Sequence, residues 1–263
     1  MGRDYLFDWI PVWGVFVVTT LTVMISVKLG NVLGRRRGGT PGGWPEGPMG
    51  TVIGATLTLL GFLIAVSFGA AASNFDKRRQ GLLDETNAIG TCYLRAGLLP
   101  ELHRGEVRKL LRQYVDIRVE APRHPEKLPE LIRRSEELHS QLWAHAEVLV
   151  AAGHQSEIDA LFVESLNAVI DMHSVRVSAA LWYRVPVAFW WSAWMIMALA
   201  SALLGRQFGL AGRSSLWPGL ALAVSFAVAI TVTADIDRPG GGWIRVGQQG
   251  MLDLQRSLAE PTP

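Results

Sequence analysis

Cysteine is nearly absent: Cys92 is the only one in 263 residues. No intramolecular disulfide can form, and paired-cysteine metal or redox motifs are excluded. Cys92 itself reads as a small buried apolar side chain. Charge is scarce as well. Asp, Glu, Lys and Arg make up 18% of the chain and leave a net charge of only +2, so the concentrated basic face that nucleic acid requires is missing. Catalytic signatures are missing too. There is no His-Glu-x-x-His, Walker A loop or Gly-x-Ser-x-Gly, hence no metal set, phosphate cradle or activated nucleophile to suggest an enzyme or a cofactor. Glu136 with His139 is a single Glu-x-x-His pair, with His145 and Glu147 nearby. A di-metal bundle needs two such pairs and two further Glu.

The absence of charge is also local. Residues 9–26, 50–74, 185–205 and 214–234 contain no Asp, Glu, Lys or Arg. They fall in four apolar stretches, 6–27, 50–74, 185–205 and 214–234, each close to the roughly 20 residues that cross a hydrocarbon core. An ionised side chain at mid-bilayer costs several kcal/mol, so lipid selects charge-free windows of this length. Trp9, Trp13, Trp182, Trp190 and Trp217 flank the stretches, where indoles sit at headgroup level or pack between helices. The first stretch has no small-residue cleavage pattern and reads as a retained span rather than a signal peptide.

Four spans put both termini on one side of the membrane. The sequence thus divides into residues 1–74 with the first two spans, 75–183, 184–235 with the last two spans, and a C-terminal segment 236–263. A connection of about 110 residues between spans two and three is a domain in its own right. Its apolar spacing is helical throughout, with breaks at Leu99-Pro100 and at Pro122, Pro125 and Pro129. Residues 28–49, dense in Gly and Pro, read as a flexible loop, and 206–213 as a short turn. The last helix of the central segment meets no proline before Pro186 and is expected to run directly into span three. Positive charges near the span ends almost tie between the two sides. A free thiol in a domain without disulfides favours the reducing side, which places the termini and the central domain in the cytoplasm and the spans in the cell inner membrane.

Span two is the most informative. Small residues recur at Gly50, Gly54, Thr58, Gly61, Ala65, Gly69 and Ala72, and steps of three and four place most of them on one stripe. Such a stripe either lets helices pack closely within a subunit or lines an axial pathway in an oligomer. No span carries a carboxylate, so permeating ions would pass between subunits, along backbone dipoles and the hydroxyls of Thr56, Thr58 and Ser67. Beyond the span, Asp84, Asn87, Thr91 and Arg95 share one helix face, a hydrogen-bonded seam or the lining of a vestibule. Lys77, Arg78 and Arg79 follow the span directly, as partners for lipid headgroups or for Asp235 and Asp237 beyond span four. Those two acids, with Arg238, would fix the helix ends through ion pairs, Arg184 being another candidate partner.

Residues 84–91 (Asp-Glu-Thr-Asn-Ala-Ile-Gly-Thr), continuing to Tyr93-Leu94-Arg95 and Leu98-Leu99-Pro100, resemble the signature of a prokaryotic bestrophin-like membrane family. Asp237-Arg238-Pro239, Gly242 and Ile244-Arg245-Val246 resemble its second signature. The resemblance covers nearly the whole chain. It implies an all-α polytopic protein with four transmembrane helices and an intracellular helical domain. By analogy with bestrophins it further implies a homo-oligomer, a pentamer, that passes anions such as chloride along its second membrane helix. Gly54, Thr58, Gly61, Phe62, Ala65 and Gly69 would then line the pore, and Leu60-Gly61-Phe62 resembles part of the bestrophin neck. Thr58 and Gly54 stand where bestrophins carry bulky apolar residues, and the acidic calcium cluster of the animal proteins has no counterpart. The alternative is a membrane scaffold or sensor that does not conduct and whose helical domain docks a cytosolic partner.

Overall fold

The computed structural model describes residues 9–37, 46–151, 157–211 and 217–259. These form α1 (Val12–Arg37), α2 (Glu46–Ala96), α3 (Glu101–Glu120), a short 3-10 turn (Pro125–Lys127), α4 (Leu128–Ala151), α5 (Glu157–Leu181), α6 (Val187–Leu210), α7 (Trp217–Asp237) and α8 (Gln249–Ala259). No strand occurs among the described residues. Four helices, α1, α2, α6 and α7, are long and apolar enough to cross a membrane. The all-helical, four-span expectation is met. The chain gathers into two compact units, one from residues up to Asn74 with Arg184–Ile244, the other from Phe75–Tyr183 with the residues from Arg245 onward.

Several boundaries differ from the sequence expectation, each for a local reason. α1 does not stop at residue 27 but continues to Arg37, and α2 already begins at Glu46. The expected loop 28–49 is therefore shorter, and its middle, 38–45, lies outside the described residues. Likewise α6 extends through the expected turn to Leu210, while 212–216 lies outside them. α5 does not run into α6: it ends at Leu181, and α6 starts after Pro186. Pro186 occupies the N-cap at φ −54° and ψ 137°, an extended backbone that cannot continue the helix before it. Pro100 does the same for α3 at φ −53° and ψ 146°, and α2 ends four residues earlier, as expected from the sequence.

Glycine explains why α1 and α6 outrun their expected ends. Gly30 and Gly34 of α1 face Gly205 and Gly209 of α6. A Cβ on Gly30 would lie 1.9 Å from the Ala202 carbonyl oxygen, and on Gly205 2.0 Å from that of Val27. At Gly34 and Gly209 the intruded oxygens, of Arg206 and Asn31, would be 2.3 Å away. Two Gly-x-x-x-Gly steps thus press backbone to backbone, the parallel helices meeting without intervening side chains. The glycines read as breakers in water are packing surfaces here. Around this crossing Val15, Val23, Val27, Trp190, Met197, Ala223 and Ile230 are buried, together with Leu60 and Ala71 of α2. Trp190 packs inside, while Trp9, Trp13 and Trp217 are exposed.

The second unit has a separate core. Leu82, Ile89, Leu111, Tyr114, Leu142, Phe162 and Leu166 are buried, and the amphipathic α8 adds Met251 and Leu258. Cys92 lies in this core, fully buried.

The two glycine environments make opposite predictions. Gly205→Val should cost about 3 kcal/mol or more, because the intruded atom is backbone and cannot move aside. Gly105→Ala, at an exposed position of α3 with nothing within 4 Å of an added Cβ, should gain about 0.5–1 kcal/mol. Thermal unfolding of the purified full-length protein in detergent separates the two.

Candidate functional site

The membrane part of α2 is the least covered of the four spans. Only Ile53, Leu60, Ser67 and Ala71 are buried, and they recur along one edge. Gly50, Gly54, Thr58, Gly61, Phe62, Ala65 and Gly69 are all exposed. A Cβ added at Gly50, Gly54, Gly61 or Gly69 would meet no atom within 4 Å. The small-residue stripe is therefore not used for packing within the protomer, unlike the glycines of α1 and α6. The hydroxyls on this helix turn back on it: Thr58 donates to the Gly54 carbonyl at 2.9 Å and Thr56 to that of Val52 at 2.7 Å. Ser67 is buried, donating to Leu63 at 2.8 Å, so it does not belong to the exposed stripe. What the stripe presents is small, uncharged and free of side-chain obstruction apart from Phe62.

The acids after α7 organise chain ends. Asp237 accepts the Val185 backbone N–H at 2.9 Å and pairs with Arg184 at 3.3 Å. Asp235 accepts the N–H groups of Trp243 and Ile244, both at 2.9 Å. Arg238 donates to the Ile10 carbonyl at 2.6 Å. Gly242 is required here, since a Cβ would sit 2.2 Å from the Asp235 carboxylate. The Asp-x-Asp-Arg-Pro…Gly signature is thus a buried polar clasp that satisfies backbone groups where α6 begins and α7 ends.

In the second unit, Lys77 lies over the Tyr183 ring at 5.6 Å and Arg78 donates to the Tyr183 carbonyl at 3.3 Å; Arg79 is exposed. The face of Asp84, Asn87 and Thr91 is exposed, with Asp84 accepting from Gln80 at 2.9 Å. Arg95 instead reaches α5, donating to the Leu161 carbonyl at 2.7 Å beside Glu164 at 3.5 Å.

Sequence reasoning missed Glu85. It is fully buried on α2, and side chains from α3 and α5 converge on it. Arg118 pairs with it at 3.0 Å, and Arg176 also pairs with it. The Tyr114 hydroxyl donates to it at 2.6 Å. That hydroxyl proton is committed, so His173 Nδ1, 3.2 Å from the Tyr114 oxygen, carries the hydrogen and donates. His139 stacks edge-on to His173 at 4.9 Å. Burial beside Glu85 pushes the Tyr114 hydroxyl pKa well up. Burial, with Arg118 nearby, holds His139 and His173 down at about 4. Two guanidinium groups on one carboxylate leave a positive excess, and neutral imidazoles avoid adding to it. The signal was available: Glu85 lies in register with Leu82, Ile89, Cys92 and Ala96, a lone acid in an apolar row. Among the described residues no three His, Cys, Asp or Glu side chains are placed to hold a metal ion.

Residues 15–251 match the family model described as a bestrophin-like domain. A bacterial bestrophin homologue from Klebsiella pneumoniae, solved with an isoleucine-to-threonine substitution, is similar at a TM-score of 0.59 and 16% identity, covering 93% of this chain and 96% of that one. Two crystal structures of a membrane protein, each with a proline-to-alanine substitution, align at TM-scores of 0.62 and 0.63 with 17% and 16% identity. They cover 92% and 94% of this chain, and 95% and 97% of theirs. No curated protein matches the chain.

Two outcomes follow from the buried cluster. Glu85→Gln strands two guanidinium groups and should cost about 3–5 kcal/mol. The imidazoles give a pH dependence. The unfolded chain, with ordinary values of 6.5, binds protons that the folded chain, at about 4, does not. Stability is therefore full above pH 6.5 and falls as the pH drops from 6.5 towards 4, by on the order of 3 kcal/mol per imidazole. Hydrogen exchange of α3–α5 peptides across that range reads both effects, and His139→Phe with His173→Phe should flatten the slope.

Proposed function

The chain belongs to the bestrophin-like domain family, and on that premise we propose that it is a homo-oligomeric passive channel for anions, with α2 nearest the axis. Gly54, Thr58, Gly61, Phe62, Ala65 and Gly69 line the conduit. A ring of five copies fits the family likeness. The central unit is assigned to the cytoplasm because its one thiol is unpaired by any disulfide and suits a reducing compartment.

The observation that carries this reading is the cost of the exposed glycines. Each glycine within a helix forfeits about 1 kcal/mol relative to alanine. Gly50, Gly54, Gly61 and Gly69 recover none of it inside the protomer, where nothing lies within reach of an added Cβ. Their value lies outside the single chain, in clearance for something that passes or for another copy. Lipid gives no such reason, since acyl chains accept leucine as readily as glycine. No carboxylate stands on α2 between residues 50 and 74, so nothing in the conduit repels an anion.

Purified full-length protein in planar bilayers should show a chloride conductance, and Gly61→Trp or Thr58→Trp should reduce it at least tenfold while the oligomer stays intact. Absence of any conductance over a range of salts, with one stoichiometric cytosolic partner co-purifying, would favour a scaffold instead.

A further inference from the structure

In the second unit, titratable side chains also meet away from Glu85. His103 stands in the first turn of α3 and His145 in the C-terminal half of α4. Their Nδ1 atoms are 3.1 Å apart. The ring centroids lie 5.4 Å apart and the planes cross at 82°, so the two nitrogens lie between the rings and face each other in line. Both residues are half-buried, and neither Nε2 is sealed from solvent. The neighbouring charges are engaged with other groups. On α3, Arg104 pairs with Glu101 at 3.0 Å and donates to the Leu99 carbonyl at 3.2 Å, while Glu106 pairs with Lys109 at 3.0 Å. Arg108 lies over the Tyr93 ring at 4.8 Å, and Arg95 of α2 turns to α5. Glu147 on α4 is exposed.

Two imidazole nitrogens in this arrangement share a hydrogen. One ring donates from Nδ1; the other accepts at Nδ1 and carries its own hydrogen on Nε2. The donor ring keeps a lone pair on Nε2, open to water. A first proton adds there and makes the N–H donor cationic, which strengthens the bond. A second proton has only the accepting Nδ1 to occupy. It replaces the N–H···N bond with two N–H groups face to face on two cations, which repel. We propose that His103 and His145 form a proton-operated latch that holds the first turn of α3 against α4, closed with one added proton or none and opened by the second. The resistance to that second proton falls on His145: burial and the His103 charge hold it below the ordinary 6.5, against a smaller opposite pull from Glu106. A lowered folded value means that the latch contributes fully above pH 6.5 and is lost as the pH falls below it. Pro100 fixes the corner just before His103, so opening frees the start of α3 rather than the core around Glu85. The latch stands independently of whether the chain conducts.

The test is solid-state nitrogen NMR of the full-length protein in lipid bilayers, with its histidines labelled, across a pH series. Above pH 6.5 the spectrum should show a scalar coupling between two Nδ1 nuclei, assigned to this pair by its loss in His145→Phe. The coupling should persist when one ring becomes imidazolium and vanish when the second does. Hydrogen exchange of peptides covering the first turn of α3 should then lose roughly tenfold or more of its protection, the worth of a charge-assisted hydrogen bond. His103→Phe with His145→Phe should remove that step, because the replacement pair cannot be charged. In His139→Phe with His173→Phe the step should remain at the same pH, which separates the latch from the imidazoles beside Glu85. No coupling at any pH would overturn the shared hydrogen. Two charged rings with protection unchanged, or a step that disappears with His139 and His173, would overturn the latch.

Discussion

Backbone contact between α1 and α6 is the constraint on which the membrane unit depends. Gly30, Gly34, Gly205 and Gly209 leave no room for a single methyl group. In lipid there is no hydrophobic gain from bringing two apolar helices together, so dispersion contacts and close approach must supply the attachment. Glycine maximises both, at a cost in helix propensity that burial repays. The same crossing keeps both helices regular through positions that would fray in water.

α2 uses the same residue type to the opposite end. Its glycines touch nothing in the protomer. One edge, through Ile53, Leu60 and Ala71, is buried, and the remainder of the span is open. A helix so weakly covered by its own chain gains its surroundings from elsewhere, and the channel proposed above gives them a form: copies arranged around an axis. The contrast between glycines with carbonyls pressed against them and glycines with empty space in front of them distinguishes attachment from clearance. Sequence pattern alone shows both as small residues four apart.

That contrast also explains what was legible beforehand. Charge-free runs revealed four spans because the bilayer penalises ions steeply, and prolines at 100 and 186 mark helix starts because the residue before proline cannot stay helical. Helix ends near Gly30, Gly34 and Gly209 were misread because propensity in water was applied to helices in contact within lipid. The buried acid was overlooked for a different reason. Asp84 and Glu85 are adjacent, and the polar face of Asp84, Asn87 and Thr91 drew the eye, whereas Glu85 points with Leu82 and Ile89 into the core. Its partners Tyr114, Arg118 and Arg176 come from α3 and α5, so their convergence is a property of the fold. The Asp235 and Asp237 clasp was half visible: the acids were noted as fixing helix ends, but their acceptance of backbone N–H groups needs the turn after α7.

The central claim is that the open stripe of α2 faces an axis shared by identical chains. A cryo-electron microscopy map of the full-length protein in lipid nanodiscs tests it most directly. The account predicts a closed ring with Gly54, Gly61 and Gly69 of every copy turned inward along a continuous opening. A single chain, or a ring in which those glycines meet acyl density at the perimeter, would contradict it.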